Sequence, residues 1–189
     1  MLDRPLIFLD LETTGSSASR DRITEIGLIA IENGRHVGEW STLVNPEMGI
    51  PPFIESLTGI NDDMVASAPT FAEIAGELKS RLDGRLLIAH NARFDYGFLV
   101  NEFQRLDIVY QSDVLCTVRL SRKLFPGHAR HNLDTLMQRH GVDCSARHRA
   151  LGDARVLWDL TQIWRDDVGM EALAAAATAQ IKSPPPPCA

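Results

Sequence analysis

The strongest constraint in this chain is Asp10-Leu11-Glu12, two acids that close the otherwise apolar run Leu6-Ile7-Phe8-Leu9. Such a run reads as a buried β-strand. Side chains on a strand alternate between faces, so Asp10 and Glu12 share one face at the strand's C-terminal end. Two carboxylates held that close raise one another's pKa or demand a counter-charge. For a pair of hard oxygen donors, a divalent cation such as Mg²⁺ or Mn²⁺ supplies it. The competing reading is that the acids cap the turn Thr13-Thr14-Gly15 and are solvated there, and only residues further along the chain decide between the two.

Downstream of the first strand, Ile23 to Ile31 and Glu39 to Val44 read as two more strands, separated by a turn at Glu32-Asn33-Gly34. Short connections make such neighbours antiparallel. From Pro51 the spacing becomes helical. Phe71, Ile74, Ala75, Leu78 and Leu82 lay one apolar stripe along a helix that starts near Pro69-Thr70. Arg85 to His90 reads as a fourth strand, and so long a crossover places it parallel to one of the first three, which makes the sheet mixed. Helices are expected over about Phe94–Leu106, Val114–Leu124, Asn132–His140, Ala150–Arg165 and the Ala-rich Met170–Lys182. The last of the long ones carries Trp158, Leu160 and Trp164 for packing. The run Ser183 to Ala189, with four consecutive prolines, cannot continue a helix and reads as a tail or linker after one domain spanning residues 1–182.

One core is expected from 189 residues with 44% hydrophobic and 23% charged side chains. The net charge of −6 argues against a broad basic face that grips long duplex DNA through phosphates alone, while a short single-stranded end held through metals stays compatible. No apolar stretch approaches the ~20 residues of a membrane span. The start lacks the basic-then-apolar order of a secretory signal, so the cytoplasm is the expected compartment. Cys116, Cys144 and Cys188 are odd in number and widely spaced, which predicts free thiols rather than a disulfide framework or a zinc site. His128, His131 and His140 have no matched acids or cysteines and read as surface or capping residues.

Two further segments carry chemistry. His90-Asn91-Ala92-Arg93-Phe94-Asp95 lies where a strand gives way to a helix, the position at which open α/β sheets present ligand groups. Taken alone, Asp95 reads rather as a first-turn acid answering the helix dipole, with His90 and Asn91 as turn residues. His148-Arg149-Ala150-Leu151-Gly152-Asp153 adds another acid with a histidine five residues before it. On one helix that separation turns the side chains about 140° apart. His148 is therefore expected in the loop before the helix, able to fold back toward Asp153.

Together, the segments Ile7 to Gly15, His90 to Asp95 and His148 to Ala154 resemble the three exonuclease motifs of the DEDDh family, which includes the proofreading (epsilon) subunit of bacterial replicative DNA polymerase III. Ile54 to Ile60 resembles the helical turn that follows the third strand in its polymerase-associated members. The likeness spans about Leu6 to Leu160 in the expected order, and no catalytic position is substituted. It implies an RNase H-like α/β fold, a five-stranded mixed sheet flanked by helices, and 3′-to-5′ hydrolysis of nucleic acid. By the same resemblance, Asp10, Glu12, Asp95 and Asp153 fall on the metal-binding acids and His148 on the general base. Thr13, Leu57, His90, Asn91 and Phe94 fall on positions lining the pocket for the terminal nucleotide.

The chemistry is coherent without the name. Two Mg²⁺ or Mn²⁺ ions roughly 4 Å apart can clamp the attacking and leaving oxygens of a phosphodiester displacement, and three or four carboxylates are needed to offset their charge. The expected substrate is the 3′ end of single-stranded DNA, with release of nucleoside 5′-monophosphates in proofreading, repair or end trimming. A DNA polymerase or another replication or repair protein is the partner the resemblance suggests. The rival readings are an exoribonuclease acting on short RNA and a non-catalytic scaffold module.

Overall fold

The computed structural model describes residues 4–145 and 147–183. Five strands form one mixed sheet: β1 (Leu6–Thr13), β2 (Ile23–Glu32), β3 (Arg35–Leu43), β4 (Leu86–Ala89) and β5 (Val114–Cys116), in the order β3-β2-β1-β4-β5. The first three are antiparallel, whereas β4 runs parallel to β1 and β5 parallel to β4. Asn33 and Gly34 both have positive φ, the geometry of a type I′ turn, so the β2–β3 hairpin closes in two residues. Among the described residues eight helices accompany the sheet: α1 (Pro52–Thr58), α2 (Asp62–Val65), α3 (Phe71–Leu82), α4 (Arg93–Gln104), α5 (Thr117–Leu124), α6 (Leu133–His140), α7 (Ala150–Val168) and α8 (Met170–Thr178). Helix α3 starts where the sequence expects, because Thr70 and Glu73 form a reciprocal capping box.

The alternation along β1 divides the core into two layers. Ile7, Leu9 and Leu11 face Phe71, Leu78, Phe98 and Phe103 of α3 and α4. Leu6 and Phe8 face the opposite way, onto Leu157, Leu160 and Trp164 of α7. Each such large side chain contributes about 1.5–3 kcal/mol when fully buried. Asp10 and Glu12 continue the Leu6–Phe8 face, so the pleat itself aims them at α7.

Four expectations are corrected. Strand β3 begins at Arg35 rather than Glu39, because its first five residues are exposed and carry no apolar alternation to read. Val114–Cys116 is a strand and only Thr117–Leu124 is helical; three residues are too short to show a period. Helix α8 stops at Thr178, since the Lys182 backbone instead exchanges two hydrogen bonds with Val114, both 2.9 Å. His131 is not a surface residue. It is buried, its Nε2 donates to the His128 carbonyl at 2.9 Å, and its Nδ1 accepts from the Ser121 hydroxyl at 2.8 Å.

Cys116 and Cys144 are free, while Cys188 and the proline run lie outside the described residues. Ser183, the first residue of the expected tail, donates to Asp113 at 2.6 Å. No helix among the described residues is long and apolar enough to cross a membrane.

Candidate active site

Asp10, Glu12 and Asp153 each present a carboxylate oxygen within 4.8 Å of the others'. The arrangement follows from two periodicities. Asp10 and Glu12 are two apart on β1, and Asp153 heads the buried stripe Asp153, Leu157, Leu160, Trp164 of α7, the helix that covers that face. Asp95 heads a similar stripe on α4, followed by Phe98, Leu99, Glu102 and Phe103, but α4 covers the other face. It therefore reaches the cluster around the strand end and stands outside the three-oxygen group. The β1–β4 ladder stops at Phe8, leaving the amide of Leu11 without a strand partner on that side, and Asp95 accepts from it.

Crowding and burial act together on these acids. Burial, then the charges of Asp95, Asp153 and Glu12, hold the Asp10 carboxyl well above the usual carboxylate range. Burial pushes Glu12 up to about 7, reinforced by Asp153 and Glu25. It pushes Asp95 up to about 8 despite the backbone N–H groups that favour its charged form. Asp153 is raised by burial and pulled back by Arg147. Like-charged carboxylates held in a partly desolvated corner favour protonation or a cation. The donor set fits a divalent metal. All ligands are hard oxygens, and Asp153 Oδ1 is buried with no hydrogen-bond partner among the described residues, a desolvation cost that coordination would offset. Among the described residues no other group of three such ligands lies this close.

His148 occupies the loop immediately before α7, as expected, in a left-handed conformation (φ 59°), and its backbone amide donates to Asp153. The side chain that grips Asp153 is instead Arg147, which also holds Asp134 at 2.8 Å. Arg147 was not anticipated, since a basic residue in a loop next to Arg149 carries no signal of its own.

Two further residues missed from sequence anchor α7. Glu25, buried on β2 directly opposite Glu12, accepts from Arg149 Nη2 at 2.6 Å and from the Ala150 amide at 2.9 Å, so it serves as the cap that α7 otherwise lacks. Gly27, opposite Asp10, lets the start of α7 touch the sheet. A Cβ there would lie 2.2 Å from Leu151 N and 2.3 Å from Ala150 C. Glu25 was detectable as the lone acid inside the apolar run Ile23 to Ile31.

The expected nucleotide-pocket residues are placed unevenly. Asn91 and Phe94 flank the start of α4, with Asn91 exposed in a left-handed conformation and Phe94 against Phe98 at 4.9 Å between ring centres. His90 Nδ1 meets the Thr117 hydroxyl at 2.9 Å, and burial together with the Arg147 charge lowers its pKa to about 4, so it is neutral near pH 7. Thr13 is buried and its hydroxyl donates to the Gly15 carbonyl at 2.6 Å, which shapes the turn after β1. Leu57 stands 49% exposed on α1, one turn from Phe53 at 68%. Phe53 also escaped the sequence reading, although the i, i+4 spacing with Leu57 marks a shared apolar face.

Comparison with known proteins agrees with this geometry. The family profile described as Exonuclease (RNase_T) matches residues 7–161. The chain is 38% identical over 154 residues to a "DNA polymerase III PolC-type" of Caldanaerobacter subterraneus subsp. tengcongensis, covering 82% of this chain and 11% of that protein. It is 39% identical over 152 residues to the "3′-5′ exonuclease DinG" of Bacillus subtilis, covering 79% of this chain and 16% of that one. The chain thus spans less than a fifth of these relatives' length. Among solved structures, exonuclease X in complex with 5′ overhanging duplex DNA superposes with a TM-score of 0.72 at 25% identity, covering 91% of this chain and 99% of that one. Exonuclease I of E. coli in complex with single-stranded DNA reaches 0.79 at 16% identity, over 89% of this chain and 42% of that one, a likeness of fold alone. The fold is RNase H-like, as the motifs implied.

Proposed function

We propose, from the premise that the chain belongs to the exonuclease (RNase_T) family, that it is a divalent-metal-dependent 3′-to-5′ exonuclease. It releases nucleoside 5′-monophosphates from the 3′ ends of single-stranded DNA. The observation that carries this reading is the convergence of three carboxylate oxygens within 4.8 Å at the end of β1, one of the three acids keeping a buried oxygen with no partner. A scaffold role would give that cost no return.

Asp10, Glu12 and Asp153 would hold the metal, with Asp95 beside them completing the charge needed for a second ion. Bound there, Mg²⁺ or Mn²⁺ supplies charge neutralisation and Lewis acidity for phosphodiester hydrolysis. His148, on its loop, accepts a proton from the attacking water as the P–O3′ bond breaks, and the leaving 3′ oxygen takes a proton from solvent. Phe94 and Leu57 pack against terminal bases, while Asn91 and His90 border the terminal nucleotide and Thr13 shapes the turn beside it, a mode that reads no sequence and favours frayed or single-stranded ends. We place this activity in the cytoplasm, in replication or repair, and the name of one relative, a PolC-type DNA polymerase III, supports a DNA polymerase as partner.

The test compares 3′-labelled and 5′-labelled single strands of DNA and RNA of equal length with Mg²⁺, Mn²⁺ or excess chelator. Stepwise shortening of 5′-labelled DNA with metal only is expected. Faster shortening of the RNA would replace the DNA reading by the exoribonuclease one.

A further inference from the structure

Two cavities meet at the first turn of α4. The smaller, about 260 Å³, is bordered by Ser16, Ala18, Phe94 and Gly97, beside the turn after β1. The larger, about 470 Å³, lies at the β5 edge and is bordered by Tyr96, Arg119, Arg122 and Lys182. Asn91 and Arg93 line both, so the two adjoin across the helix end that carries Asp95.

The charge lining the larger cavity is opposite in sign to the net charge of the protein. With 19 basic and 25 acidic residues the chain is acidic as a whole, yet no carboxylate borders the larger cavity among the described residues. Arg22, Arg85, Arg147, Arg149 and Arg155 each face an acid. Arg93, Arg119, Arg122 and Lys182 have no side-chain partner among the described residues. Four unpaired cations around one concavity repel each other and attract an anion. Tyr96, Val114 and Val118 add an apolar wall of the kind on which nucleobases pack.

We infer that the larger cavity binds the phosphodiester backbone of single-stranded nucleic acid on the 5′ side of the nucleotide held at the acids. This rests on the reading of the acid cluster as a 3′-end nuclease centre. A strand whose 3′ terminus sits beside Phe94 must leave in one direction, and the cavity shared through Asn91 and Arg93 offers a cationic path. A mononucleotide or inorganic phosphate would satisfy the same charges, but neither needs two adjoining cavities.

The test measures anisotropy of 5′-fluorescein-labelled dT12 in chelator, where metal-dependent hydrolysis is silent, across a salt series. Removing two phosphate contacts by Arg119→Ala with Arg122→Ala lowers the magnitude of the slope of log K against log salt by about 1.4. At 0.1 M salt that is roughly a 25-fold loss of affinity. Arg35→Ala, on β3 at the opposite sheet edge, leaves the slope at its wild-type value. An unchanged slope in the double variant overturns the inference, as does an equal change per charge in Arg35→Ala. If dTMP or inorganic phosphate displaces dT12 as well as unlabelled dT12 does, the cavity takes a free nucleotide or phosphate and the strand path is wrong. Absence of hydrolysis with every metal refutes the nuclease reading instead, and leaves this binding comparison to be judged on its own slopes.

Discussion

Replacing Gly27 by Ala tests whether the close contact between the sheet and α7 sets the position of Asp153. The added Cβ would lie 2.2 Å from Leu151 N, 2.3 Å from Ala150 C and 2.5 Å from Ala150 O. Carbon contacts settle near 3.5 Å, so the start of α7 must retreat by about 1.2 Å or β2 must yield by as much. All three atoms are backbone, with no flexible side chain to swing aside. Overpacking of this kind costs about 1–3 kcal/mol, which for a domain of this size lowers Tm by roughly 2–12 °C. Asp153 lies one turn into the displaced helix, while Asp10, directly opposite Gly27, stays on β1. A misplacement near 1 Å costs a catalytic constellation about 10²-fold. Thermal melting with and without Mn²⁺, together with turnover on single-stranded DNA, reads both effects. The variant should lose about two decades in kcat, and its metal-induced rise in Tm should shrink. Gly38→Ala, where a Cβ meets nothing within 4 Å, should do neither. Wild-type turnover and an undiminished metal shift in Gly27→Ala would refute the reasoning.

The metal-free protein should lose stability as pH rises. Glu12 and Asp95 have folded-state values of about 7 and about 8, above their unfolded ones, so the native state binds the extra protons and their contribution is full below about pH 4 and lost by about pH 8. In chelator Tm should therefore fall between pH 5 and 8, whereas in saturating Mn²⁺, which needs the deprotonated acids, the gap between the two curves should widen; parallel curves would contradict this. Arg147→Ala removes a cation from Asp153 and should tighten Mn²⁺ binding about fivefold, equivalent to ~1 kcal/mol for one partly exposed charged contact, measured by calorimetry. Weaker binding would make Arg147 a support of the site. His148→Ala should lower kcat by ~10²- to 10⁴-fold while Mn²⁺ affinity stays within twofold. Loss of the metal would make His148 a ligand.

The sheet was legible in the sequence wherever burial wrote a pattern into it. Leu6 to Leu9 is an unbroken apolar run because both faces of β1 meet core, Phe71 to Leu82 repeats at helical spacing because one face does, and the long crossover between β3 and β4 already required a parallel pair. Val114–Cys116 was illegible because three residues hold no period, and Arg35–Gly38 because its partner strand binds backbone rather than side chains. The acids were legible as motifs, and strand parity explains why Asp153 joins Asp10 and Glu12 while Asp95 arrives from the other layer. What the sequence concealed were contacts between distant segments. Arg149 meets Glu25 across 124 residues, and the unpaired cations of α4, α5 and Lys182 converge only after β5 has formed. The net charge of −6 argues against a broad basic face, yet it does not reveal the cations gathered around one cavity.

The measurement that bears most directly on the central claim is anomalous scattering from crystals of the protein soaked in Mn²⁺. A manganese peak coordinated by carboxylate oxygens of Asp10, Glu12 and Asp153, and absent in Asp10→Asn, is the predicted result. Manganese bound elsewhere, with the three carboxylates left uncoordinated at saturating concentration, would contradict the assignment of this cluster as the metal centre of an exonuclease.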